Sequence, residues 1–333
     1  MHTGMVPRLG GISFVPSILV SVLFIIGISL EFGGIDVVIV VGLKLVPMLF
    51  MFCSLLLLFL VGIADDMIGV RYGAKFLVQM LASILLIMGG IWVQNLWGLF
   101  GIEAIPEWIG YLLTVFVVVY IVNAFNLIDG IDGLASGLSL IGLMFYGMYL
   151  YLEGEYLYAI VAWSAFGSLL PFIYFNLFGK TAEHKKIFMG DTGSLTIGLI
   201  VAFLVLAILS DASPEIGGIG DSPVLWAFSP IVVPLLDVAR VALHRIVKKR
   251  NPFNADTCHI HHKLLALGYS QRQSLGIILT GDVCFLVLNL LLSGLLGEWW
   301  ILALDVVIWI VLNLLLTRGI RLRERREGVK LYD

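Results

Sequence analysis

Residues 185–210 read KKIFMGDTGSLTIGLIVAFLVLAILS, and the passage changes character once. Two lysines and a glycine-flanked aspartate give way at Ser194 to 17 residues, 194–210, without a charge. A run of that length is what a helix needs to cross the hydrocarbon core of a bilayer. Working outward, similar runs fall near 12–30, 44–63, 75–93, 109–125, 134–152, 156–177, 223–244, 276–296 and 299–317. The runs at 109–125 and 194–210 are the shortest, so a partly re-entrant course is open for either. Across the 333 residues 60% are hydrophobic and 13% charged, with a mean hydropathy of +1.04. A soluble globular chain carries roughly a quarter charged residues. The expectation is therefore an all-α polytopic integral membrane protein of about ten transmembrane helices, forming a single domain over 1–333.

Charge orients the bundle. With the N-terminus inside, Lys44 is the sole Lys or Arg near an outer connection (31–43, 94–108, 153–155, 211–222, 297–298); the other 19 of 20 lie at inner segments or inner helix ends. Basic residues are retained on the cytoplasmic side, so both termini are expected there, with 318–333 a basic cytoplasmic tail. The outer acids, Glu155 and Glu298 among them, read as solvated. The net charge of −3 carries no nucleic-acid footprint. Cys53, Cys258 and Cys284 show no paired spacing, which argues against a disulfide framework, and MHTGMVPRLGG lacks the layout of a signal peptide. Chemistry is then sought in the inner segments 1–11, 64–74, 126–133, 178–193 and 245–275.

Four polar constellations lie there. In GIADDMIGVRYGAK (62–75) Asp65 and Asp66 are adjacent, so on a helix they point about 100° apart and serve different neighbours. Their repulsion disfavours double ionisation unless a cation is near; solvated loop acids are the plain alternative. In VNAFNLIDGIDGLASG (122–137) Asn123, Asn126, Asp129 and Asp132 recur every third residue, more polarity than a hairpin between spans needs. Asp191 in KKIFMGDTGSLTIG reads either as an ordinary helix N-cap or as part of a site for a metal-bound phosphate. In RIVKKRNPFNADTCHIHHKLLALG (245–268), His259, His261 and His262 beside Lys248, Lys249 and Arg250 suit an anionic ligand, with a zinc site alongside Cys258 as the weaker alternative. Acids for Mg²⁺, amides for a base or sugar and cations for phosphate are the inventory of phosphoryl transfer. A transporter is the competing class, but the polar groups sit in inner loops rather than at the midplane and no half-to-half symmetry is visible.

In order, HTGMVPRLGG, DDMIGVRYGAKFLVQ, NAFNLIDGIDGLA, IFMGDTGSL and NADTCHIHH resemble the motifs of the polyprenyl-phosphate N-acetylhexosamine-1-phosphate transferases, over nearly the whole chain. PRLGG and HIHH are similar to the branch that uses UDP-N-acetylglucosamine (UDP-GlcNAc). The resemblance implies transfer of GlcNAc-1-phosphate to undecaprenyl phosphate at the cytoplasmic face of a bacterial inner membrane, initiating lipid-linked glycan synthesis; another UDP-N-acetylhexosamine donor is the alternative. It implies Mg²⁺, with Mn²⁺ as a substitute, held by Asp191 with Asn126 beside it. Phe188 and Asp132 would hold the uracil, and Lys75 the diphosphate. Asp65 and Asp66 would be the catalytic pair, orienting the acceptor phosphate, with its deprotonation as a further role, and His259, His261 and His262 would bind sugar and phosphate. Asp129 and Arg8 are counted with the substrate-binding groups. Branch members usually carry a further span before the HTG motif, which here follows Met1 directly. Asp237 and Arg240 are three apart and can pair; Asp282 and Asp305 are expected to face the bundle interior. A homodimer is one assembly the sequence leaves open.

Overall fold

The computed structural model describes residues 10–183, 185–211, 223–249 and 258–332. Its helices are α1 (Phe14–Phe32), α2 (Gly34–Ile68), α3 (Tyr72–Met88), α4 (Glu107–Ile128), α5 (Leu134–Leu152), α6 (Tyr156–Phe178), α7 (Gly190–Asp211), α8 (Pro223–Phe228), α9 (Val232–Val247), α10 (Ile260–Ala266), α11 (Gln271–Leu292) and α12 (Glu298–Glu327). Among the described residues nine helical stretches are long and apolar enough to cross a membrane, α8 and α9 together making one; α3 is a shorter apolar helix. The chain is a multi-pass membrane protein.

The opening stretch forms the axis of this bundle. α7 is buried throughout its span and packs chiefly against α2 and α4. Small residues make this close approach feasible between membrane helices: at Gly62 of α2 a side chain would run into the Thr192 backbone. Lipid-facing helices such as α12, by contrast, leave Val307, Ile310, Leu314 and Leu315 exposed.

Several expectations need correcting. Neither shortest run is short, since α4 and α7 each have 22 residues. The outer connection assigned to 31–43 is almost wholly helical, because the apolar residues before Lys44 continue α2 back to Gly34. Residues 94–108 hold a small antiparallel hairpin, Asn95–Leu99 with Ile102–Ala104. Two outer acids are not simply solvated: Glu155 pairs with Lys44 at 3.1 Å, and Glu298 is 9% exposed beneath α8. The basic tail is not a separate extension, as α12 continues to Glu327.

The span at 223–244 is broken. A 3-10 turn, Ser229–Ile231, separates α8 from α9, with Pro230 and Pro234 unable to donate to a helical ladder. Backbone groups freed inside a membrane need internal partners. Asp282 of α11 accepts from the Val233 amide at 3.4 Å, and Asn289 donates to Ser229 Oγ at 2.9 Å and to Asp305 at 2.8 Å. Asp282 and Asp305 thus do face the interior, as a polar layer around the break.

Candidate active site

Helix ends bring four of the polar segments to one end of the bundle. Asp65 and Asp66 close α2, and they do serve different neighbours. Asp65 accepts from the Val70 amide at 2.6 Å and pairs with Lys75 of α3 at 2.7 Å. Asp66 turns to α7, where its two oxygens accept from the Asp191 and Thr192 amides, each at 2.9 Å, and from Thr192 Oγ1 at 2.6 Å. The first amides of a helix have no partner of their own, so Asp66 acts as a cap supplied from another helix. It fixes where α7 begins, and with it where Asp191 projects.

Asp191 meets Asn126 from α4, whose amide donates to Asp191 Oδ1 and to Ser194 Oγ, the latter at 2.8 Å. Lys75 stands 3.9 Å from Asp191 Oδ2. The expected stripe from Asn123 to Asp132 is cut at Ile128, where α4 ends. Asn123 faces inward and donates to Gln79 of α3 at 2.7 Å, a packing role. Asp129 and Asp132 lie in the turn between α4 and α5, and Asp132 pairs with Lys186 at 2.5 Å.

These groups wall a cavity of about 280 Å³ lined by Asp66, Asn126, Asp129, Asp132, Phe188 and Asp191, with Asn176 and Ser194 at its edge. Partial desolvation, reinforced by the Asp191, Asp132 and Asp66 carboxylates, pushes the Asp129 carboxyl up to about 7. Because Asp129 still opens to solvent, the like charges are the part of that push with chemical meaning: a cation in the cavity would reverse it. Phe188, 36% exposed, offers a flat apolar face at the rim.

Sequence reasoning missed Asn176. Buried near the end of α6, it accepts from the Gly133 amide at 2.7 Å and donates to the Ile187 carbonyl at 2.8 Å, clamping the two loops that carry Asp132 and Phe188. Its only sequence signal is a lone amide close to the end of an apolar run. The glycine pair of PRLGG steadies the same loop from the other side, as the Gly10 and Gly11 amides donate to the Phe188 and Met189 carbonyls at 3.0 and 3.1 Å. Arg8 lies outside the described residues.

Of the three histidines, His261 in α10 reaches the cavity wall from behind, and none of the three lines the cavity itself. His261 lies against Gly130, where any side chain would collide with its ring. It is buried, neither ring nitrogen has a partner among the described residues, and burial with His262 and His259 alongside pulls its pKa down to about 3. The His261 ring is parallel to His259 at 5.9 Å and 4.1 Å from His262. Among the described residues no three His, Cys, Asp or Glu side chains are gathered to hold a metal unaided, so the zinc alternative gains no support.

A family model described as glycosyl transferase family 4 matches residues 48–209. The undecaprenyl-phosphate alpha-N-acetylglucosaminyl 1-phosphate transferase of Escherichia coli O157:H7 is 31% identical over 324 residues, 96% of this chain and 82% of that protein. Its counterpart in Escherichia coli strain K12 is 32% identical over 309 residues, covering 91% and 77%, and the Yersinia pestis protein 30% over 327 residues, covering 96% and 82%. With similarity of that extent running through every segment that builds the cavity, the chain belongs to glycosyl transferase family 4 and is a glycosyl-1-phosphate transferase.

Proposed function

We propose that the protein transfers GlcNAc-1-phosphate from UDP-GlcNAc to undecaprenyl phosphate, releasing UMP and starting a lipid-linked glycan. The observation that carries this reading is the meeting of Asp65, Asp66, Lys75, Asn126, Asp129, Asp132, Phe188 and Asp191 at one end of an apolar bundle, in a chain whose relatives bear that name. An oxygen of the acceptor phosphate attacks the β-phosphorus of the nucleotide sugar. The bond from that phosphorus to the bridging oxygen breaks, and its electron pair leaves with UMP. The acceptor phosphate is largely ionised near neutral pH, so the residues act by position and charge more than by removing a proton.

The donor set fits Mg²⁺. That ion is commonly bound by one or two carboxylates plus substrate phosphates rather than by an all-protein cage, which agrees with the small donor set of Asp191 and Asn126 and with the crowded charge at Asp129. When bound, Mg²⁺ supplies neutralisation of the diphosphate. Asp191 and Asn126 would hold it, and Asp66 positions Asp191 through the start of α7. Lys75, between Asp65 and Asp191, is placed to follow the diphosphate charge, while Asp65 orients the acceptor. Phe188 stacks on the uracil, and Asp132, tied to Lys186, accepts from its edge. The histidines of α10 close the sugar side. The basic residues concentrated at the site end support a cytoplasmic site in a bacterial plasma membrane.

Purified protein incubated with undecaprenyl phosphate, Mg²⁺ and a panel of UDP-sugars should yield UMP and a lipid diphosphate sugar with UDP-GlcNAc. Proton-coupled uptake by reconstituted protein without UMP release would instead favour a transporter. Mg²⁺ should also raise the Tm of the wild-type protein but not of Asp191→Asn, a readout independent of turnover.

A further inference from the structure

The transferase reading leaves the buried charge of Asp237 unused. Asp237, in α9, is fully buried and faces three donor groups, from α9 itself and from the start of α10. Its Oδ2 lies 2.9 Å from His259 Nδ1, the Ile260 amide approaches both oxygens at 3.1 and 3.2 Å, and Arg240 Nη2 donates to Oδ1 at 2.8 Å. Arg240 also donates to the Cys258 carbonyl at 2.5 Å, and Tyr332, returning from the end of the chain, donates to the same carbonyl at 2.7 Å. The segment entering α10 is therefore held at its side chain, its amide and its carbonyl, with Asp237 at the centre.

A carboxylate beside a guanidinium is an acceptor, so the ring nitrogen facing it carries the hydrogen. The partner of one histidine nitrogen decides what the other can do. Here Nδ1 is committed, and among the described residues Nε2 holds no hydrogen bond. The ring so fixed lies parallel to His261, which packs on the cavity wall at Gly130. We propose that Asp237 is a positioning residue for the transfer reaction: its carboxylate holds His259 in the Nδ1–H form, turned so that Nε2 meets the sugar-phosphate part of the donor. This rests on the transferase reading for the identity of the donor, but not for the state of the ring.

Two measurements test it. Nitrogen-15 spectra of histidine-labelled protein, assigned with His259→Gln, should show hydrogen on Nδ1 in the wild type. In Asp237→Asn the amide NH2 can face Nδ1 and move that hydrogen to Nε2. In kinetics, Asp237→Asn should raise KM for UDP-GlcNAc on the order of tenfold with a smaller change in kcat. Added to His259→Gln, it should cost nothing more, because an effect exerted through His259 vanishes with it. Wild-type His259 lacking the Nδ1 hydrogen, or independent losses adding up in the double variant, would overturn the assignment. A wild type inactive with UDP-GlcNAc would refute the transferase reading alone, since the ring spectrum needs no substrate.

Discussion

Acids occur at two depths in this bundle, and their surroundings differ. At the site end, Asp65 and Asp66 are satisfied by a lysine and by backbone amides, and Asp191 by an asparagine, while several carboxylates still face one shared cavity. In the apolar interior, Asp282 and Asp305 face a helix break and an asparagine. Both sets are ionisable residues in or beside membrane spans, a usual mark of function. What separates them is convergence: the first set leaves like charge concentrated around a space a ligand can enter, and the second repairs a backbone that two prolines have interrupted.

The contrast breaks if the two sets respond alike to loss of charge. Asp191→Asn should lower turnover on the order of a thousandfold with little change in Tm, measured by UMP release and thermal unfolding; a variant close to full activity would remove Asp191 from the chemistry. Asp66→Asn keeps its shape but cannot accept with both arms, so α7 loses part of its cap. The expected cost is about 1–2 kcal/mol of stability together with a fall in turnover, and an effect on stability alone would separate the cap from the reaction. Asn176→Ala, which orphans the Gly133 amide and the Ile187 carbonyl, should cost about 1–3 kcal/mol and weaken donor binding; unchanged donor affinity would show that the clamp serves the fold only.

Smaller effects sharpen the comparison. With its folded value raised to about 7, the Asp129 carboxyl keeps its proton in the folded protein over a range where the unfolded chain releases it. Stability from this group is therefore present below the ordinary carboxylate range and is lost as pH rises toward and through about 7. Because the residue opens to solvent, the slope is shallow, and Asp129→Asn should flatten the Tm profile between pH 5 and 8 by about 1–2 °C. Least affected should be Asp282→Asn, which preserves an acceptor for the Val233 amide: turnover within about twofold of wild type. A collapse of turnover there would place the interior acids in the reaction after all.

Most spans are legible in the sequence because apolar runs are long and charges cluster between them. The limits of that reading are equally physical. Hydropathy cannot tell where a helix ends when apolar residues continue into the connection, as before Lys44. The hairpin at 95–104 is too short to show a strand period. For the site, Asp65, Asp66, Asp191 and the histidines stand out as polar groups in costly places, whereas Asn176 is a single amide in an apolar run. Of the partners of Asp237, Arg240 is legible as a pair three residues apart, whereas His259 is 22 residues away, a pairing that no local pattern reveals.

The central position of α7 has a consequence for how the protein is made. Its neighbours α2 and α4 leave the ribosome first and enter the bilayer as separate spans, with the notch at Gly62 empty and Asp66 lacking the amides it will later hold. Until the twenty-odd residues of α7 arrive, the faces of α2 and α4 that it covers lack that partner. Insertion of this later span then fills the gap, caps α7 on Asp66 and brings Asp191 to Asn126. Formation of the reaction centre is thus gated by a single helix, and a chain stalled before α7 would hold Asp65, Asp66, Asp129 and Asp132 but lack Asp191.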